Sequence, residues 1–165
     1  MDGAINAFVD KKGFGLKKFA TDEEKKKKEE KDKSMKMSER LNLYKDRQRN
    51  NLSENAYGAI VRLRMDNSHP LGFGYDKEYL SLKLRNRRYA YLESGWNVGT
   101  TQDSTSIVSG FVGFKAKQNF RESLVFGVEE IGRGSVVYMV DNPLFRGFWY
   151  NGKLLFGNAV FLVGN

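Results

Sequence analysis

The chain has no cysteine, one histidine and two prolines among its 165 residues. Lack of cysteine excludes a disulfide framework, a thiolate metal site and a cysteine nucleophile. A zinc hydrolase takes about three protein ligands, commonly histidine or carboxylate, and His69 is the sole histidine on offer. A serine triad also needs a histidine, and no Gly-x-Ser-x-Gly elbow is present. Within its His-Pro turn His69 reads as structural; the competing reading, a small hydrolase built on His69, ranks last. No apolar run approaches the roughly 20 residues of a membrane span. Met1–Asp10 has no basic region ahead of its short apolar stretch, so this chain shows no signal peptide of its own.

Apolar residues make up 40% of the sequence and aromatics 13%. This composition belongs to a globular chain, and its length to one domain with a sizeable core. The net charge is +8. About half of that surplus falls in the first third, around Lys25–Lys28. There the lysines are interleaved with Asp22, Glu23, Glu24, Glu29, Glu30 and Asp32. Alternating charge of this kind describes a solvated helix, whereas a phosphate-binding face keeps acids away.

Residues 4–9 read as the end of a helix, and Lys11–Gly15 as a glycine-punctuated loop. Thr21 and Glu24 form a capping box, which predicts a charged helical insertion over 21–50, with a thin apolar stripe at Met37, Leu41 and Tyr44 that docks its second half. Composition changes at about Leu52. Ala59, Val61, Leu63 and Met65 alternate with Ile60, Arg62 and Arg64, a half-buried strand, broken by Asp66–Pro70. Leu80, Leu82 and Leu84 alternate with Ser81 and Lys83 in a second strand; Tyr89–Leu92 is a third. Gly95–Ser106 reads as loop, with a strand at Ser106–Val108. Gly113–Arg121 forms a short helix with Ala116 and Phe120 on one side. Leu124–Glu129 and Val136–Asp141 are nearly continuous apolar runs, as in strands covered on both faces. Gly152–Val163, capped by Asn151, is a helix apolar almost all round, hence buried or held between two partners.

None of these elements carries a complete catalytic set. Ile131–Gly134 resembles a phosphate loop but leads into a strand, so it reads as a hairpin turn. Glu129 and Glu130 are adjacent and point to opposite faces; one of them is expected inside, paired with Arg133 or Arg146. Trp96, Phe148, Trp149 and Tyr150 read as core or interface, and secondly as a stacking platform. Arg85–Arg88 is the densest basic spot outside the charged helix.

From Ser53 onward the chain resembles the C-terminal region of bacterial carboxypeptidase A-like zinc peptidases, in which a class I glutamine amidotransferase-like domain follows the peptidase domain. The stretches that carry this are Gly58–Gly74, Ser94–Gly99, Val108–Gly113 and Val125–Val163. Asp141–Trp149 (Asp-Asn-Pro-Leu-Phe-Arg-Gly-Phe-Trp) is the most specific of them. A charged helix also stands at the matching place in the family. The resemblance implies an α/β fold, a partial flavodoxin-like three-layer domain with a long charged helix, and puts Asn142–Trp149 near its strand ends. Two departures limit what it transfers. The match begins inside the accessory domain, and no cysteine is available for amidotransferase chemistry.

The resulting expectation is a single, incomplete accessory domain over 1–165. It is non-catalytic, and the peptide hydrolysis and zinc of the parent zinc metallocarboxypeptidase reside in an upstream domain. The chain itself is expected to hold no cofactor or metal. Its interaction surface is expected at His69, Trp96, Asn142, Arg146 and Trp149. Its partner is the upstream peptidase domain, or a second copy meeting it through an exposed half-sheet of parallel type. The parent is secreted or periplasmic. The alternative is a nucleic-acid-binding module using the lysine-rich helix and Arg85–Arg88.

Overall fold

Strand β1 (Ala56–Met65) shows a period of two in its burial: Ala59, Val61, Leu63 and Met65 face inward, Arg62 and Arg64 outward. Four further strands extend the sheet on either side of it and one shares an edge with a neighbour. They are β2 (Glu78–Lys83), β3 (Trp96–Thr101), β4 (Ile107–Val112), β5 (Ser123–Ile131) and β6 (Gly134–Met139). The strand order is β2-β1-β3-β5-β6, with β4 also on β1. On that edge β4 pairs with residues 56–61 of β1, and β3 takes over at Arg64 and Met65. The computed structural model describes residues 2–18, 43–102 and 106–164. Helices α1 (Asp2–Phe8), α2 (Arg47–Glu54) and α3 (Asn151–Phe161) complete the described architecture. The chain is thus mixed α/β, built on a curled six-stranded sheet.

Every pairing between described strands is antiparallel, which corrects the expected half-sheet of parallel type. The reason lies in the connections. Parallel neighbours need a crossover of a dozen or more residues, whereas β5 and β6 are joined by Gly132-Arg133 alone, from Ile131 opposite Gly134. Gly132 has φ 64°, a conformation glycine adopts without steric cost. Nor is β5 short of neighbours: β3 and β6 flank it, and Ser123–Glu129 are buried on both faces.

Strand β2 has the opposite parity to the one its leucines suggest. Lys83 is 0% and Ser81 2% exposed, while Leu80 is 39% and Leu84 43% exposed. Register fixes this. Lys83, Ser81 and Tyr79 lie opposite Ala59, Val61 and Leu63, the inward residues of β1, and directly opposed residues share a face. The buried ammonium finds its counter-charge in Asp141, 3.2 Å away, and Ser81 Oγ donates to the second carboxylate oxygen at 2.7 Å. Phe120, fully buried, places its ring 5.5 Å from Lys83 Nζ. Asp141 follows β6, the last strand in the order, and Lys83 lies on β2, the first. This ion pair therefore links the two ends of the sheet.

Several expectations hold and several are corrected. Ala116 and Phe120 are both buried, on a 3-10 helix Ala116–Phe120. Gly95–Ser106 is no simple loop, since β3 occupies Trp96–Thr101, and β4 runs on to Val112. Tyr89–Leu92 forms no strand; Tyr89 makes an isolated bridge to Lys18. Asn151 does not cap α3: Tyr150 holds the cap position, and the Asn151 amide donates to Leu80 O at 2.9 Å. The inward acid is Glu129, but its partners are not arginines. It accepts from Gly15 N at 2.8 Å and Tyr138 Oη at 2.6 Å. Burial, with Glu129 reinforcing it, pushes the Tyr138 phenol up from its ordinary value. The Thr21–Glu24 capping box and most of the 21–50 helix lie outside the described residues. Its described end, a 3-10 turn at Tyr44–Asp46 followed by α2, buries no side chain. It is tethered by polar contacts instead, among them Lys115 Nζ to Glu54 at 3.0 Å and Asn86 Nδ2 to Glu54 O at 2.8 Å.

Helix α3 is apolar but only one side of it is inside. Gly152, Leu155 and Asn158 are buried; Leu154, Phe156 and Val160 are exposed. Gly152 allows the contact with the preceding turn, because a Cβ there would lie 1.9 Å from Pro143 O. No helix among the described residues is long and apolar enough to cross a membrane.

Lys83→Met should destabilise the fold by about 3–5 kcal/mol, because it leaves a buried carboxylate without its counter-charge. Lys83→Met with Asp141→Leu should recover much of that loss in urea unfolding. Gly15→Ala sets a Cβ 2.7 Å from Glu129 Oε1. It should cost about 1–3 kcal/mol and speed tryptic cleavage at Lys11, Lys12 and Lys17.

Candidate binding cleft

The turn after β1 is built by its own side chains. Asp66 Oδ1 accepts from Ser68 N at 3.1 Å and from Ser68 Oγ at 2.5 Å. The Ser68 hydroxyl holds the Asp66 carboxyl below its ordinary value, with burial opposing. Next to Ser68, His69 Nδ1 accepts from Leu71 N at 3.0 Å and so caps the 3-10 helix Pro70–Gly72. An Nδ1 that accepts leaves the proton of the neutral ring on Nε2. Burial lowers the His69 pKa from its ordinary value and the Asp66 charge only partly offsets this, so the ring is neutral at pH 7. His69 thus serves as a cap, in keeping with its structural reading.

Trp96 opens β3 opposite Val128 of β5 and is 43% exposed. Its ring centroid lies 5.4 Å from that of His69, the planes tilted by 49°. The two rings line a cleft of about 600 Å³ together with Asp66, Glu130, Arg133 and Leu162. That volume falls within the ~300–1,000 Å³ of small-molecule sites. Four elements therefore meet there: the turn after β1, the start of β3, the β5–β6 hairpin and the end of α3. The turn is fixed to α3 by Asn158, whose buried amide donates to Leu71 O at 3.1 Å and Phe73 O at 2.7 Å.

The structure divides the five residues expected at an interaction surface. His69 and Trp96 come together in the cleft; Asn142, Arg146 and Trp149 do not line it. Asn142 Oδ1 accepts from Leu144 N at 3.0 Å and shapes the turn after β6. Arg146 has φ 50° and sets its guanidinium 5.2 Å from the Phe145 ring centre. Trp149 Nε1 donates to Leu80 O at 3.2 Å, protecting the edge of β2. Asp66, Glu130 and Arg133 were not singled out as site residues by sequence reasoning. The signal for Arg133 was present, since a two-residue hairpin turn puts its second residue at an exposed tip. In Arg85–Arg88, Arg88 Nε donates to Arg121 O at 2.8 Å.

No group of three or more histidine and carboxylate residues among the described residues could hold a metal. No protein-family model, curated protein or solved structure matches the chain.

As the sole histidine, His69 gives one assignable imidazole signal in an NMR titration, and its midpoint should lie below 6.5. A folded pKa depressed this way favours the fold fully above the unfolded value and progressively less as pH falls toward the folded one. Thermal stability should therefore drop below about pH 6.5. His69→Asn, which keeps an acceptor for Leu71 N–H but cannot titrate, should flatten that drop. Asp66, depressed from 3.8, adds a separate loss only at still lower pH.

Proposed function

We propose that this chain is the C-terminal part of a non-catalytic accessory domain of a secreted or periplasmic zinc metallocarboxypeptidase, and that it docks the peptidase domain through the outer face of α3. The observation that carries the docking role is that face. Val160 is 55% exposed and Leu154 and Phe156 are also exposed, on a helix whose opposite side is packed by Leu155 and Asn158. A large apolar side chain left in water costs about 1.5–3 kcal/mol relative to burial, and exposed apolar patches of this kind mark interaction surfaces. The only charged residue on the helix is Lys153. Such a face suits an apolar protein surface better than a polyanion.

The parentage rests on the stretches of resemblance, Asp141–Trp149 foremost. The resemblance begins past the family's zinc peptidase domain and no residue of that zinc site maps onto this sequence, so the proposed peptide hydrolysis lies in the upstream domain. The family's flavodoxin-like three-layer fold is the part of the reading that the antiparallel sheet opposes. The interaction role stands without it.

An antibody raised against residues 125–164 should detect, in native extract, a band several-fold larger than 18.9 kDa. A band at 18.9 kDa alone would overturn the proposal. In the longer protein, Val160→Glu should leave unfolding of this domain unchanged within about 0.5 kcal/mol. It should also accelerate proteolytic separation of the two domains several-fold. Equal separation rates would remove α3 as the docking face.

A further inference from the structure

We propose that the cleft bounded by the 66–70 turn, the start of β3 and the β5–β6 hairpin binds a neutral saccharide, one pyranose ring resting on the Trp96 indole. The inference is independent of the accessory-domain reading, since it concerns a different surface.

Indole is the largest apolar side chain, yet at Trp96 it is 43% exposed and lies beside a cleft. Its position is not slack. Pairing with Val128 holds the backbone, and the His69 ring, fixed by its bond to Leu71 N, packs against the indole. A rigid, half-exposed indole offers a flat face with negative π density. The C–H face of a pyranose presents a flat array of weakly positive hydrogens, and is complementary to it.

The polar groups around the indole select the ligand class. Sugar hydroxyls both donate and accept. Asp66 and Glu130 supply carboxylate acceptors, Arg133 supplies up to five N–H donors, and the neutral His69 ring carries an N–H at Nε2. Glu130 and Arg133 are exposed at the hairpin end, on the same cleft as the indole. Two carboxylates against one guanidinium leave the cleft with a net negative charge. That balance among the lining residues favours an uncharged ligand over a phosphate-bearing one, although a base could stack on the indole. The cleft is too polar to select a purely apolar ligand, which would strand both carboxylates and the guanidinium without water.

The test reads the tryptophan emission of the intact protein, with Trp96→Phe as the control that should abolish the response. Cellohexaose, mannohexaose, xylohexaose and N-acetylchitohexaose are titrated separately, with the dinucleotide UpU as the anionic stacking control. The expected result is a saturable change in emission, at micromolar to millimolar concentration, with at least one saccharide. Glu130→Gln and Arg133→Ala, both at exposed positions, should leave the circular dichroism spectrum unchanged and each weaken that binding several-fold. Absence of a saturable change with all four saccharides overturns the proposal. So does tighter binding of UpU than of any saccharide, and so does saccharide binding that neither variant alters.

Discussion

The buried ion pair between Lys83 and Asp141 sets the terms for the rest of the molecule. Lys83 sits on the first strand of the sheet order and Asp141 just past the last, 0% and 9% exposed. Neither charge is tolerable inside without the other, so the sheet has to curl far enough to bring them to 3.2 Å. Ser81 takes the remaining carboxylate oxygen, and the Phe120 ring lies against the ammonium. Once Lys83 and Ser81 are inside, a strand of period two must turn Leu80 and Leu82 the other way. Two consequences follow at β2. Its leucines stay at or near the surface, and its Leu80 carbonyl is left to accept from Trp149 and Asn151.

Trp149 and Asn151 stand at the entry to α3, so their bonds to Leu80 fix where the helix begins. Tyr75 adds a further tie: its hydroxyl donates to Asn151 O and accepts from Leu155 N. The inner face of α3 then holds the 71–73 segment through Asn158, and the end of the helix reaches the cleft at Leu162. A polar pair buried for reasons of charge is thus linked, through hydrogen bonds, to the placement of His69 and the cleft. Glu129 performs a comparable service at the other end. It draws Gly15 and Tyr138 together, and Leu16 beside it is fully buried.

The two surfaces that this framework leaves open differ in chemistry. The outer face of α3 is apolar with a single lysine, and suits another protein. The cleft combines an indole with two carboxylates, a guanidinium and a neutral imidazole, and suits a hydroxyl-rich ligand. A molecule with one surface for tethering and another for recognition can place a ligand near whatever it is tethered to. In that sense the two proposals are compatible, although neither depends on the other.

The sequence alone determined the features that depend on near neighbours. The alternation in β1, the hairpin at Gly132-Arg133, the Ala116–Phe120 turn and the existence of α3 all follow from patterns within a dozen residues. The pattern of the leucines in β2 misled for an equally physical reason. Periodicity shows that two faces differ, and the more apolar face is the default inside. Here the inward face was chosen by a carboxylate 58 residues away in the chain, and local periodicity contains no information at that range. The same holds for β3. Trp-Asn-Val-Gly-Thr-Thr is interrupted by Asn97 and Gly99, so its strand-prone residues show no clear alternation, and it becomes a strand because β1 and β5 offer it edges. Of the five expected interaction residues, His69 had its local role legible in its His-Pro turn. That His69 and Trp96 would meet while Arg146 and Trp149 served elsewhere was decided only by register and helix placement, which are properties of the assembled sheet.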